Sequence, residues 1–134
     1  MRELIHVGDH TFNSMCDYLT KGFLEEDILQ SFAHLLPELL DNYPGLFYQG
    51  QFDLADGVSS VEAMLDNLGW DGVPGYQSAT RQIWYTNGKV GGMTKKYLNL
   101  YQCTVVGAGH LVPYDQPETS LDMVKRFIYN TAWN

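Results

Sequence analysis

The sequence has 134 residues, of which 45% are hydrophobic and 18% are charged, a balance typical of a folded globular chain. Eight Lys and Arg residues against 16 Asp and Glu residues leave a net charge of −8, which argues against partners such as nucleic acid or an anionic membrane surface. No apolar stretch approaches the roughly 18–20 residues of a membrane-spanning helix, and the first ten residues lack the apolar core of a signal peptide.

The first predicted element is a helix over residues 25–41. Apolar residues recur there at spacings of three and four, as on one face of an amphipathic helix. Three acidic residues occupy its first turn, where the helix dipole favours negative charge. Pro37 interrupts the pattern, so we expect it to kink the helix or to restart it.

A short strand and a second helix follow. Leu46-Phe47-Tyr48 is too short for a helix and is typical of a buried strand. The next apolar periodicity predicts a helix that begins near Ser59 or Ser60 and ends at Gly69. Residues 70–79 are rich in Gly, Asp and Pro, and we expect them to form a loop.

The remainder of the chain predicts a hairpin, a strand and a helix. The runs 81–86 and 89–101 flank Asn87-Gly88, which is a strong signal for a β-hairpin. Residues 103–106 are apolar and β-branched, as in a buried strand. The last helix is predicted over 118–129, with one apolar face formed by Leu121, Val124, Phe127 and Ile128.

This order of elements predicts an α/β architecture in which the buried strands are parallel. In such sheets, functional sites gather at the carboxyl ends of the strands. Asp53 lies just after the first buried strand, and His110 lies just after the second. We therefore expect these two residues to be the candidates for a catalytic site.

His110 is suited to acid–base chemistry. It follows Gly107-Ala108-Gly109, and glycines allow a tight turn and a close approach to a ligand. Asp53 could orient the imidazole and stabilise the imidazolium ion. The alternatives are that His110 is a structural loop histidine, and that Asp53 is a loop carboxylate or an acid near a helix start. The order Asp before His matches that of α/β-hydrolases.

A nucleophile is harder to find. The chain has no Gly-x-Ser-x-Gly motif, and Ser78, the nearest approach, has the wrong glycine spacing and follows a loop. Cys103 is better explained as a packed or disulfide-linked residue than as a nucleophile, and pairing with Cys16 stays open. His6 and His10 lie four residues apart, but the sequence between them is a poor helix and offers no third metal ligand.

Two segments resemble the catalytic segments of the serine carboxypeptidases. Residues 48–53 resemble the family's Tyr-x-Gly-x-x-Asp segment, and residues 106–117 resemble its longer and more specific Gly-x-Gly-His-hydrophobic-Val-Pro-x-Asp-Gln-Pro segment. Between them, Trp84, Val90 and Gly91 are similar to the Trp…Val-x-Gly hairpin of the family. Residues 5–8, Ile-His-Val-Gly, are similar to the retinoid-inducible and vitellogenic-like branch.

The resemblance implies the C-terminal part of an α/β-hydrolase fold over residues 1–134, with the last parallel strands, flanking helices and one β-hairpin. It implies that Asp53 and His110 are the aspartate and the histidine of a Ser-His-Asp triad, in which His110 moves the proton and Asp53 orients it, and that Leu111 contacts the substrate residue that leaves. It implies no metal and no cofactor. The family's nucleophilic serine and oxyanion glycines belong to an N-terminal part that has no counterpart in this sequence.

Family members remove single residues from the C-termini of peptides, in lysosomes, vacuoles or the secretory route. We therefore expect peptide or protein C-termini as substrates for the complete enzyme and the missing N-terminal part as the partner of this chain. On this interpretation, the 134-residue chain alone is inactive. Two alternatives are a truncated relative that binds peptides or a partner protein without catalysis, and an intracellular hydrolase that uses Cys103.

Overall fold

The computed structural model of the protein describes residues 24–28 and 30–133. The chain divides into two units, Met1–Ser31 and Phe32–Asn134. In the first unit, the described residues contain one helical turn, α1 (Glu25–Ile28), with its acidic residues in the favourable first turn. The elements described below belong to the second unit.

The second unit begins with a 3₁₀ turn (Ala33–Leu35) and helix α2 (Leu36–Asn42). The helix predicted over 25–41 is therefore wrong in its first part, because residues 30–32 are not helical. Pro37 lies in the first turn of α2, where a helix makes no use of the N–H that proline lacks. In a helix interior, a proline ring would clash with the carbonyl four residues earlier. Of the two expected outcomes, a kink or a restart of the helix at Pro37, the structure shows the restart.

The centre of this unit is a four-stranded sheet in the order β1-β4-β3-β2. The strands are β1 (Gly45–Gly50), β2 (Gln82–Thr86), β3 (Lys89–Tyr97) and β4 (Leu100–Val105). Strands β1 and β4 are parallel, and β4 pairs with β3 in the antiparallel sense, as does β3 with β2. The predicted parallel pairing of the two buried strands is confirmed.

The predicted hairpin around Asn87-Gly88 is also confirmed. Both residues have positive φ, 51° and 75°, as the tight turns of hairpins require. The run 89–101 does not form one strand, because the chain reverses again after β3 and forms a second hairpin with β4. Leu98 there has a φ of 49°, and the side-chain amide of Asn99 donates a hydrogen bond of 2.8 Å to the carbonyl of Leu40.

Four further helices follow α2 along the chain: α3 (Val58–Asp66), α4 (Val73–Ser78), α5 (Val112–Asp115) and α6 (Pro117–Tyr129). The predicted loop over 70–79 is wrong, since α4 occupies most of it. Its first turn contains Pro74, which is pre-organised for a helix start. The helix buries Tyr76, whose hydroxyl donates a hydrogen bond of 2.6 Å to Gln102 on β4.

Side chains of β4 alternate between two hydrophobic cores. One core contains Tyr101, Cys103 and Val105 with residues of α6, and the other contains Leu100 with residues of α2, α3 and α4. The predicted apolar face of the last helix is partly wrong. Phe127 packs against the first core, but Leu121, Val124 and Ile128 are exposed, and the helix buries Ser120 and Met123 instead.

Candidate active site

The parallel pairing of β1 and β4 brings together the two loops that follow these strands. Gly50 and Val105 are the last residues of these strands and lie opposite each other in the register. Asp53 follows the first strand by three residues, and His110 follows the second by five. The two residues that the sequence places after separate strands therefore lie in contact.

His110 points its Nδ1 atom at the Asp53 carboxylate. Nδ1 lies 3.1 Å from Oδ2 of Asp53 and 3.3 Å from its Oδ1. A second carboxylate oxygen, Oδ2 of Asp56, lies 3.8 Å from the same nitrogen. The histidine side chain is 55% exposed, so more than half of its surface remains accessible beside the contact with Asp53.

Asp53 is held in its ionised form. Its Oδ1 accepts hydrogen bonds from the backbone N–H groups of Ala55, at 2.9 Å, and Asp56, at 3.0 Å. The hydrogen bond from the Asp56 N–H is the largest cause of a lowered pKa, and that from His110 adds to it against the opposing effect of burial. A carboxylate that stays charged can orient an imidazole and stabilise its protonated form.

Backbone contacts join the two loops. The N–H of Gln51 donates to the carbonyl of Val105, and the N–H of Phe52 donates to that of Ala108, each at 2.9 Å. The side-chain oxygen of Gln51 also accepts a hydrogen bond of 3.2 Å from the N–H of Gly107. These contacts fix the loop that carries Asp53 against the loop that carries His110.

The close approach of the loops requires a glycine at position 50. A Cβ atom there would lie 2.1 Å from the carbonyl oxygen of Gly109 and 2.4 Å from that of Ala108. No side chain fits such a gap, because real Cβ atoms essentially never come within 3.0 Å of a heavy atom outside their own residue and its chain neighbours. The glycine of the Tyr-x-Gly-x-x-Asp segment thus has a steric role in bringing Asp53 to His110.

The residues after His110 contact its loop from the other side. Oδ2 of Asp115 accepts a hydrogen bond of 2.7 Å from the N–H of Gly109, and the amide nitrogen of Gln116 donates one of 3.2 Å to the carbonyl of Gly107. Our sequence reasoning did not assign roles to Asp56, Asp115 or Gln116. Asp115 and Gln116 belong to the segment 106–117 that resembles the histidine segment of the family, and that resemblance was the sequence signal that could have identified them.

Leu111 follows His110 directly, and its side chain is 63% exposed. It is therefore accessible beside the histidine. Its predicted contact with the substrate stays a prediction, as do the catalytic roles of Asp53 and His110.

Neither Ser78 nor Cys103 lies in a setting that suits a nucleophile. Ser78 lies in α4, where its hydroxyl donates to the carbonyl of Pro74, and it does not stand on a strand-to-helix turn. Cys103 is a free thiol, fully buried, and burial raises its pKa to about 12, which disfavours a role as nucleophile. His6, His10 and Cys16 lie outside the described residues.

The described part of the chain contains neither a cluster of metal ligands nor a membrane-spanning helix. Residues 24–28 and 30–133 contain no group of three His, Cys, Asp or Glu side chains arranged to hold a metal ion. Within the same ranges, no helix is long and apolar enough to cross a membrane.

Comparison with known proteins agrees with this geometry. The profile of the family described as serine carboxypeptidase matches residues 1–130. The chain is 34% identical to the probable serine carboxypeptidase CPVL of Homo sapiens, over 100% of this chain and 28% of the human protein. It is 35% identical to the venom serine carboxypeptidase of Apis mellifera, over 99% of this chain and 28% of that protein.

A similar relation holds for the vitellogenic carboxypeptidase of Aedes aegypti, at 32% identity over 96% of this chain and 28% of that protein. The chain thus spans about 28% of the length of these relatives. Its fold is similar to the crystal structure of Kex1(delta)p, a prohormone-processing carboxypeptidase from Saccharomyces cerevisiae, with a TM-score of 0.66.

The match to Kex1(delta)p has 29% identity and covers 73% of this chain and 22% of that one. It confirms the expected α/β-hydrolase class, although the described residues contain two β-hairpins where the sequence predicted one. The resemblance noted in the two catalytic segments is confirmed over nearly the whole sequence, and the chain belongs to the serine carboxypeptidase family.

Proposed function

We propose that this chain supplies the aspartate and the histidine of a serine-type carboxypeptidase that hydrolyses peptides from their C-termini. The observation that carries the proposal is the contact of 3.1 Å between Nδ1 of His110 and the carboxylate of Asp53. Membership of the serine carboxypeptidase family and the similar fold support this reaction class, and the geometry of these two side chains suits it.

In this proposal, Asp53 accepts the Nδ1 proton of His110 in a hydrogen bond. That bond leaves Nε2 unprotonated, so it can take a proton from a serine hydroxyl as the hydroxyl attacks the scissile carbonyl. The imidazolium ion formed is stabilised by the neighbouring carboxylate, and it then protonates the leaving amino group. Leu111, exposed beside the ring, is placed to contact the residue that leaves.

The serine is supplied by a part of the fold that this sequence does not contain. No Gly-x-Ser-x-Gly motif is present, and Ser78 is held within a helix. Among the described strands, β1 pairs only with β4, so its other edge is available to a strand of the missing part. Leu39, Tyr43 and Tyr48 are exposed on and just before β1 and add apolar surface for such a partner.

A chimera tests the proposal. In it, this chain replaces the matching segment of the Apis mellifera venom serine carboxypeptidase, and hydrolysis of a blocked dipeptide is measured. We expect activity in the chimera and a loss of about four orders of magnitude in kcat with His110→Ala or Asp53→Asn. His34→Ala is the matched control, because that histidine is exposed on the 3₁₀ turn. Equal activity of all four folded proteins would refute the assignment.

The 134-residue chain alone is expected to be inactive on the same dipeptide, since it lacks a nucleophile. Turnover by the pure chain, abolished by His110→Ala, would contradict this expectation. For a full-length enzyme of this kind, we propose the lysosome, the vacuole or the secretory route as the location.

A second candidate function is binding without catalysis, by a chain that acts without the remainder of the fold. The exposed apolar residues around β1 favour it, because such a surface suits a partner protein. A stable chain with saturable peptide binding that His110→Ala leaves unchanged would support this candidate over the catalytic one.

A further inference from the structure

We propose that Asp115 is a positioning residue that fixes His110 through hydrogen bonds to the two residues next to it in the chain, Gly109 and Leu111. Its importance for turnover rests on the proposed function, whereas the positioning itself can be tested without any reaction. Asp115 touches neither Asp53 nor the imidazole in the contacts described above, so it would act through the backbone of the histidine loop.

Asp115 makes two hydrogen bonds that bracket His110. Its carboxylate oxygen Oδ2 accepts the N–H of Gly109 at 2.7 Å, and its own N–H donates to the carbonyl of Leu111 at 3.0 Å. The residue before the histidine and the residue after it are therefore bonded to one and the same residue. These two hydrogen bonds hold the backbone of residues 109–111 against Asp115.

The carboxylate bond is the stronger of the two. Its acceptor is a carboxylate oxygen at 2.7 Å, which is short for an N–H···O hydrogen bond, whereas the hydrogen bond to the Leu111 carbonyl measures 3.0 Å. Its donor belongs to a glycine, which has the largest conformational freedom of any residue. The hydrogen bond to Asp115 therefore restrains the backbone at the residue directly before His110.

The histidine needs such a constraint because its own side chain has few contacts. The ring is 55% exposed, and the polar contacts described for it are those with Asp53 and the more distant Asp56. Its orientation then depends on where the backbone places its Cα–Cβ bond. The opposite loop holds Ala108 through Phe52, so Asp115 adds the constraint on the segment that directly carries the ring.

NMR spectroscopy of the ¹⁵N-labelled 134-residue chain tests the proposal without turnover. The signals to follow are the amide of Gly109 and the Nδ1 proton of His110, which is visible only while a hydrogen bond protects it from exchange. We expect Asp115→Ala to raise exchange of the Gly109 amide by at least about tenfold and to abolish the Nδ1 signal. Asp115→Asn, which keeps an acceptor oxygen without charge, should restore both signals in part.

Asp56→Asn is the matched control. It removes a carboxylate 3.8 Å from Nδ1, but its side chain makes no hydrogen bond to the loop in the contacts described. We expect this variant to keep the protected Gly109 amide and the Nδ1 signal. If Asp115→Ala stays folded and leaves the Nδ1 signal of the wild-type chain, the proposal is wrong, and the same holds if Asp56→Asn has the larger effect on that signal.

The chimera then separates positioning from the proposed function. There, Asp115→Ala should lower kcat by tenfold or more with little change in KM, and Asp115→Asn should recover part of the loss. An inactive chimera whose isolated chain shows the predicted NMR changes would refute the proposed function and leave the positioning role standing. An active chimera in which Asp115→Ala changes KM alone would refute the positioning role in catalysis.

Discussion

The tight packing at Gly50 predicts that Gly50→Ala moves Asp53 away from His110. The added Cβ atom would lie 2.1 Å from the carbonyl oxygen of Gly109. Its nearest obstacles are backbone atoms of Ala108 and Gly109, which cannot rotate away as a flexible side chain can. The two loops must therefore move apart as units.

The size of this movement follows from the same contact. Reaching even 3.0 Å requires an opening of about 0.9 Å. An equal shift would lengthen the bond from the Phe52 N–H to the Ala108 carbonyl from 2.9 Å to about 3.8 Å, which is no longer a hydrogen bond. Overpacking of about 1–3 kcal/mol and the loss of one hydrogen bond worth about 1 kcal/mol give an expected destabilisation of about 2–4 kcal/mol.

The assay combines urea unfolding with the NMR signal of the His110 Nδ1 proton. Gly69→Ala is the control, because a Cβ atom there would meet no atom within 4 Å and the residue has no positive φ. We expect the control to change the free energy of unfolding by less than about 1 kcal/mol and to keep the Nδ1 signal. Equal stability and equal Nδ1 signals in the two variants would refute the steric argument.

Three further predictions concern the rest of the second unit. Burial alone would raise the pKa of Asp122, but hydrogen bonds from Thr86 and Arg126 outweigh it and leave this pKa below its ordinary 3.8. A carboxyl group whose pKa is lowered in the folded state contributes stability above about pH 4, and this contribution is lost as the pH falls further. We therefore expect the free energy of unfolding, measured with urea, to fall less in acid for Asp122→Asn than for the wild-type chain. Met123→Ala should lower the free energy of unfolding by about 2–5 kcal/mol, because Met123 is buried. Leu121→Ala should lower it by less than about 1 kcal/mol, because Leu121 is exposed. The reverse order would mean that α6 is rotated about its axis relative to the structure. In a Cys16→Ser background, Cys103 should resist a thiol reagent at neutral pH until the chain is unfolded, since burial raises its pKa to about 12; rapid labelling of the native chain would contradict this.

Local sequence signals predicted the parts of the fold that depend on local chemistry. Asn87-Gly88 forms a hairpin because both residues accept positive φ, and this preference is visible in the sequence. The second hairpin gives no such signal, because Leu98 adopts a positive φ that leucine disfavours. Its turn is supported from a distance by the bond from Asn99 to Leu40, which no reading of neighbouring residues could predict.

The last helix shows the limit of periodicity in another way. The spacing of apolar residues predicted a helix, and α6 is one. It also predicted the buried face, which is wrong by about one residue, or about 100° of rotation. The helix turns Met123 and Phe127 toward Tyr101, Trp84 and Trp133, and it ties Asp122 to Trp84 and Thr86. These partners come from other elements, so the phase of the helix depends on tertiary packing.

The candidate site was easier to predict than its supports. Asp53 and His110 each follow a buried strand, and parallel strands end at the same edge, so their proximity follows from topology. The bonds of Asp115 and Gln116 to the histidine loop depend on how the short helix α5 folds back over it. The sequence contains these residues in a recognisable segment, but their atomic roles require the geometry.

The contacts that place His110 beside Asp53 all lie within this chain. Residues 50–53 bond to residues 105–108 through the backbone, and Asp115 bonds to the loop from the other side. None of the contacts described for the dyad depends on residues outside the second unit. The geometry of the dyad and the supply of a nucleophile are therefore separable properties. An isolated chain that shows a protected Nδ1 proton but no turnover would demonstrate that separation, because the contact of His110 with Asp53 would then form without the proposed nucleophile.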